Sequence, residues 1–191
     1  MGIVIYLFFI WRRLKEDYLA EKIFTLSLFE ICGIALGYLI SKRFHPVWFF
    51  WFEGFGAFLG FSLGIIKYEM KFIETFEASF IAIMPWISIF FLKDYISAHS
   101  VFSLIFSALS FSLIIIFYYL DARYKNITWY KSGRIGFAGL TIAGIFFLLR
   151  ASAATLFPYV LSFVGKSEII LSGVCAFVIF LLVYNLAREE K

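Results

Sequence analysis

Six long apolar runs, joined by short polar links, constrain this chain more than any other feature. They cover residues 23–40, 47–66, 72–92, 101–120, 135–149 and 169–186. A bilayer core about 30 Å thick is crossed by roughly 20 predominantly apolar residues as a helix, whereas a transmembrane barrel shows alternating segments of about ten. Continuous runs of this length predict helices. The expected fold is all-α: a polytopic transmembrane bundle of six full spans and a short N-terminal segment over 2–10, forming one membrane domain over 1–191. The composition agrees, with 63% hydrophobic and 23% aromatic residues among 191, against about 45–50% apolar in soluble domains.

The first apolar run is about half the length of a span before WRRLKED begins. It is either the end of a helix or a piece that dips into one leaflet. Arg and Lys follow it in place of a small-residue cleavage site, so the segment is expected to stay on the chain. No internal repeat points to a transporter built from two related halves.

The formal charge of +4 falls mostly in the links, where it orients a membrane protein and calls for no nucleic-acid partner. If all seven segments cross, one side holds Arg12, Arg13, Lys15, Lys22, Lys67, Lys71, Arg123, Lys125, Lys131, Arg134, Arg188 and Lys191. The other holds Lys42, Arg43, Lys93, Arg150 and Lys166. Twelve against five places the C-terminus in the cytoplasm and the N-terminus outside. Tyr68, Tyr95, Tyr118, Tyr119, Trp129 and Tyr130 lie near run ends, as interfacial anchors do. Cys32 and Cys175 form no CxxC pair or Cys/His cluster and read as packing residues; no metal or cofactor site is expected.

Ionisable groups inside apolar runs are the first functional candidates, because placing one in hydrocarbon costs about 2.5–3.5 kcal/mol on insertion scales. Glu30 and Glu53 qualify. Each either pairs with an Arg, Ser or Tyr of a neighbouring helix or serves a ligand. Glu74 and Glu77 open the fourth run, where carboxylates complement a helix N-terminus. Arg150 ends the sixth run ahead of the small residues ASAAT. It is read either as a snorkelling anchor or as a phosphate-gripping fork. His45 and His99 lie in links. Gly56, Gly60 and Gly64 form two successive GxxxG frames, which admit a second backbone at close range.

The stretch FEGFGAFLGFSLG, 52–64, resembles the third-span signature of the prolipoprotein diacylglyceryl transferase family, roughly W-[QE]-G-G-x-[SA]-F-H-G-G-x-x-G. Glu53, Gly54, Ala57, Phe58, Gly60 and Gly64 match; Leu59 occupies the signature His position, and Phe55 and Phe61 replace two glycines. Upstream, IALGYLI resembles the family's A-R-L-G-Y-V-L, keeping Leu36, Gly37 and Tyr38 with Ala35 in place of Arg. Downstream, Gly136 and Arg150 reproduce the spacing from a glycine to the Arg of R-F-x-x-E, whose Glu falls on Ala154. His99 stands where an H-P-x-Q-L-Y-E motif has its His, and only Lys93 and Asp94 are polar where G-R-x-G-N-F would fall.

The resemblance implies a bacterial inner-membrane protein related to enzymes that move diacylglyceryl from phosphatidylglycerol onto a lipoprotein cysteine. Its implied partners are phosphatidylglycerol and a prolipoprotein signal peptide. The implied phospholipid-binding residues are Arg150, Glu53, Tyr38, Gly54, Gly60 and His99. Leu59 leaves catalysis without its signature imidazole. The alternatives are a non-catalytic phospholipid-binding or scaffold protein, and then a small transporter with a polar path past Glu30.

Overall fold

The computed structural model describes residues 2–124, 130, 136–157, 160 and 162–188. Among them the secondary structure is helical throughout: α1 Gly2–Leu14, α2 Ala20–Phe44, a 3-10 turn Pro46–Trp48, α3 Phe49–Tyr68, α4 Phe72–Ala98, α5 Val101–Arg123, α6 Phe137–Leu156 and α7 Lys166–Arg188. The six helices α2 to α7 are each long and apolar enough to cross a membrane, and the all-α, multi-pass expectation holds. With 13 residues, α1 reaches roughly 20 Å at 1.5 Å per residue.

The helices outrun the apolar runs because backbone hydrogen bonding continues through polar turns after hydropathy has fallen. This matters at two places. Helix α4 passes Lys93 and Asp94 to end at Ala98, and α6 continues beyond Arg150 to Leu156. Arg150 therefore lies inside α6 and does not end it. Lys125, Trp129, Lys131, Arg134, Ile135 and Lys191 lie outside the described residues.

The chain divides into two compact units, with the division inside α4 between Ala82 and Ile83. Pro85 follows within the same helix, where its missing N–H leaves the Ile81 carbonyl without its helical donor.

The first unit contains α1, α2, the 3-10 turn, α3, α4 as far as Ala82, and Ser162–Val164. Its centre is an antiparallel hairpin of α2 and α3 packed backbone to backbone. A Cβ on Gly33 would stand 2.0 Å from the Gly56 carbonyl oxygen, and one on Gly56 would stand 2.1 Å from that of Gly33. Gly37 meets the Phe52 carbonyl and Gly60 the Phe29 carbonyl, each at 2.2 Å by the same construction. The pairs 29/60, 33/56 and 37/52 step one turn along each helix in opposite directions. Only glycine allows that approach, which lipid-embedded helices use for lack of a hydrophobic drive to associate. Helix α1 buries Tyr6, Ile10 and Leu14, a stripe at intervals of four that is one helical face. Phe61 of α3 lies edge-on to Phe72 and Phe76 of α4, with ring centroids 5.4 and 6.0 Å apart.

The second unit contains α4 from Ile83, α5, α6 and α7. Helix α6 is its core: Phe137, Leu140, Ile142, Ala143, Phe146, Ala151 and Ala154 are all buried. Gly144 receives the Phe180 ring of α7, whose Cζ would stand 2.8 Å from an added Cβ. Helices α4 and α5 are joined by a polar clasp: Ser88 Oγ donates to the Ser107 carbonyl and Ser107 Oγ to the Ser88 carbonyl, both at 2.9 Å. Ser103 donates to Asp94 on the same seam, and Phe91 packs on Phe106 at 5.5 Å.

Candidate functional site

The hairpin contact places three of the sequence candidates together. A Cβ on Gly37 would lie 2.9 Å from the Glu53 Cα, so Tyr38, next in chain, and Glu53 with Gly54 share one end of the α2/α3 seam. Glu53 is half-buried and has no hydrogen-bond or ion-pair partner among the described residues. Gly54 borders open space, with nothing within 4 Å of an added Cβ, and Tyr38 is 49% exposed. Gly60 lies farther along the same seam, buried against the Phe29 backbone. Packing between α2 and α3 accounts for Gly56 and Gly60; it does not account for Gly54 or for the carboxyl at Glu53. Leu59 is half exposed.

Glu30 follows the pairing alternative. It is 1% exposed, and its carboxylate oxygens accept from two hydroxyls: Tyr6 of α1 donates to Oε2, and Ser79 of α4 donates to Oε1 at 2.7 Å. Neither hydroxyl stands out in the sequence, because a Tyr or Ser in an apolar run gives no sign of the helix it will meet. Nearer the link end of α1, Arg13 pairs with Glu77 at 2.8 Å.

Glu74 takes Lys71 Nζ at 3.0 Å and the Tyr18 hydroxyl at 3.2 Å, and the Lys71 amide donates to the Tyr18 oxygen at 3.0 Å. Burial pushes the Tyr18 phenol up from its ordinary pKa, against the lowering effect of the Lys71 amide. The hydrogen bond and charge of Glu74 raise that of Lys71. Glu74 and Glu77 thus do more than complement a helix start: they staple α4 to α1 and to the link that follows it.

Arg150 is in the second unit, and it is no snorkelling anchor. It is 1% exposed, and its Nε and one terminal nitrogen lie 2.8 and 2.7 Å from Glu168 Oε1. Ser172 Oγ donates to that oxygen at 2.7 Å, and the guanidinium lies 5.9 Å from the centre of the Phe146 ring. Glu168 carries no signal in the sequence beyond an acid at the start of an apolar run. Its role appears only when α7 folds back along α6.

His99 is exposed with φ +52°, and its N–H closes α4 on the Tyr95 carbonyl at 2.9 Å. Its backbone is a left-handed helix cap, a position that His fills more readily than most residues. His45 is exposed beside the 3-10 turn, Cys32 is exposed on α2, and Cys175 is partly buried. Among the described residues no three His, Cys, Asp or Glu side chains gather as metal ligands. Among the described residues the buried acids Glu30, Glu77 and Glu168 each have a partner on another helix, and the half-buried Glu53 has none. Compared with protein-family models, curated proteins and solved structures, the chain finds no match.

Proposed function

We propose that this chain is a bacterial inner-membrane protein of the prolipoprotein diacylglyceryl transferase type that binds phosphatidylglycerol and does not carry out the transfer. The single observation behind this reading is Glu53, a half-buried carboxyl without a partner among the described residues, beside Gly54, which leaves open space. A carboxylate accepts hydrogen bonds from hydroxyl donors, and the glycerol head group supplies two. Tyr38 at the same end of the seam adds a hydroxyl that donates as well as accepts. The link charges support a cytoplasmic C-terminus.

Transfer to a thiol needs a group that takes the thiol proton and positive charge that stabilises the departing glycerol phosphate. Leu59 can do neither, nor can Ala35 or Ala154. The Arg150 guanidinium is already opposed by Glu168, which weakens its pull on a second anion. The fold is retained for lipid while the chemistry is not.

Two measurements test this. In native mass spectrometry, Glu53→Leu is expected to lower retention of phosphatidylglycerol about tenfold, since hydrogen bonds to a charged group contribute about 1.5–3 kcal/mol. Equal retention in wild type and variant would remove the lipid from this site. In a transfer assay with labelled diacylglyceryl and a prolipoprotein peptide, wild type is expected to be silent. Robust wild-type turnover that Leu59→His does not raise would overturn the silent reading and require a different catalytic centre.

A further inference from the structure

Resting on the lipid reading above, we propose that Lys42 and Arg43, in the last turn of α2, hold the phosphate of the lipid whose head group reaches Glu53. A carboxylate by itself repels a phosphodiester, so a site built around Glu53 needs cations close by. Arg150 does not meet that need, being buried and opposed by Glu168.

Residues 1–82 of the first unit carry eight Lys and Arg: Arg12, Arg13, Lys15, Lys22, Lys42, Arg43, Lys67 and Lys71. All but Lys42 and Arg43 lie toward the far end of the α2/α3 hairpin, where α2 begins and α3 ends, and each of those has a contact. Arg13 pairs with Glu77 at 2.8 Å and Lys71 with Glu74 at 3.0 Å. Lys22 Nζ donates to the Tyr68 carbonyl at 3.4 Å, Lys15 and Lys67 lie over the Trp11 and Phe29 rings, and Arg12 is engaged as well. Lys42 and Arg43 stand at the near end, exposed, and neither has a hydrogen bond, ion pair or ring contact among the described residues.

Their spacing from Glu53 suits a phosphoglycerol head group. Gly37 stands beside the Glu53 Cα, and Lys42 is five residues farther along α2, about 7.5 Å by helical rise. Tyr38 and Lys42 are one turn apart and share a helix face. A glycerol phosphate together with a Lys side chain covers the interval, its phosphate at Lys42 and Arg43 and its hydroxyls toward Tyr38 and Glu53. Arg43 offers a planar fork for two phosphate oxygens, and Lys42 a mobile point charge. Two cations then face two anions, the phosphodiester and the Glu53 carboxylate. Phe44 and Val47, 69% and 60% exposed, follow the cations in the chain, so this surface fits the border between head groups and acyl chains better than a free anion in water. Cations at a helix C-terminus also complement its dipole, a role that needs no lipid.

Native mass spectrometry of the full chain with phosphatidylglycerol and phosphatidylethanol separates these roles, because the two lipids share the phosphodiester and differ in the head-group hydroxyls. Lys42→Gln with Arg43→Gln is expected to lower retention of both lipids about tenfold or more, whereas Glu53→Leu lowers that of phosphatidylglycerol alone. Wild-type retention of both lipids by the double variant overturns the phosphate site and returns the pair to the helix dipole; if Glu53→Leu still loses phosphatidylglycerol, the lipid reading survives without it. Loss of both lipids in the double variant, with phosphatidylglycerol kept by Glu53→Leu, supports the phosphate site and removes the glycerol from Glu53. Inorganic phosphate added at constant ionic strength is expected to leave lipid retention unchanged, and displacement of the lipid overturns the assignment in favour of a free anion.

Discussion

Gly60→Ala provides a direct test of the backbone-to-backbone seam. The new methyl carbon would stand 2.2 Å from the Phe29 carbonyl oxygen, whereas carbon and carbonyl oxygen settle at about 3.3–3.6 Å. The helices must therefore part by about 1 Å at this point, and the obstructing atom is backbone, so no rotamer change relieves it. Overpacking of this kind costs about 1–3 kcal/mol, and a radial gap of 0.5–1 Å forfeits roughly a quarter to a half of each neighbouring dispersion contact. The expected destabilisation is about 2–3 kcal/mol. Gly54→Ala is the matched control, since nothing lies within 4 Å of its added Cβ and alanine favours the helix by up to about 1 kcal/mol. Reversible unfolding in mixed detergent micelles measures both. Gly33 and Gly56 obstruct each other's carbonyls, so Gly33→Ala with Gly56→Ala should destabilise by less than the sum of the single changes, the helices having already parted. Equal stability of Gly60→Ala and Gly54→Ala, within about 0.5 kcal/mol, would refute the seam.

Glu168→Gln should destabilise by about 3–5 kcal/mol by leaving the Arg150 charge buried without its anion, whereas Arg150→Met with Glu168→Leu should recover most of the loss; thermal unfolding distinguishes the two. For topology, in a background lacking Cys32 and Cys175, a cysteine at exposed Val47 is expected to react with an impermeant reagent from outside, and one appended after Lys191 is not. Ser41 is unsuited to this because it is buried; labelling of the tail alone would invert the orientation. Tyr18 and Lys71 both have pKa values raised on folding, so their contribution is complete below their unfolded values near 10 and is lost as pH rises through the folded ones. Protection of a cysteine placed at Lys22 should therefore be constant across neutral pH and fall only in strong alkali; loss of protection near pH 7 would contradict the sign.

The candidate site was legible in part. Glu30 and Glu53 stand out by cost alone, being acids inside apolar runs. Glu53 remains a ligand candidate because no partner meets it among the described residues, while Glu30 is satisfied by Tyr6 and Ser79. Arg150 draws notice by its chemistry, but it does not end its helix: ASAAT belongs to α6 as well, and the guanidinium meets Glu168 in place of lipid phosphate or water. Pairing across helices depends on rotation about each helix axis and on register between helices. Hydropathy carries neither.

The apolar runs by themselves determined that the described chain is helical and multi-pass, because a segment in hydrocarbon must satisfy its own backbone hydrogen bonds and only a helix does so within one span. The small residues of GxxxG announced a close approach without naming the partner. Tertiary structure decided that the partner is α2, with Gly33 on Gly56 and Phe29 on Gly60. It also decided which acids are spent on the fold: Glu30, Glu77 and Glu168 each pair with a group from another helix, and among the described residues Glu53 has no such partner. The physical reason is that the cost of a polar group in lipid is a property of one residue and can be read from the sequence, whereas its relief belongs to a pair that only packing brings together.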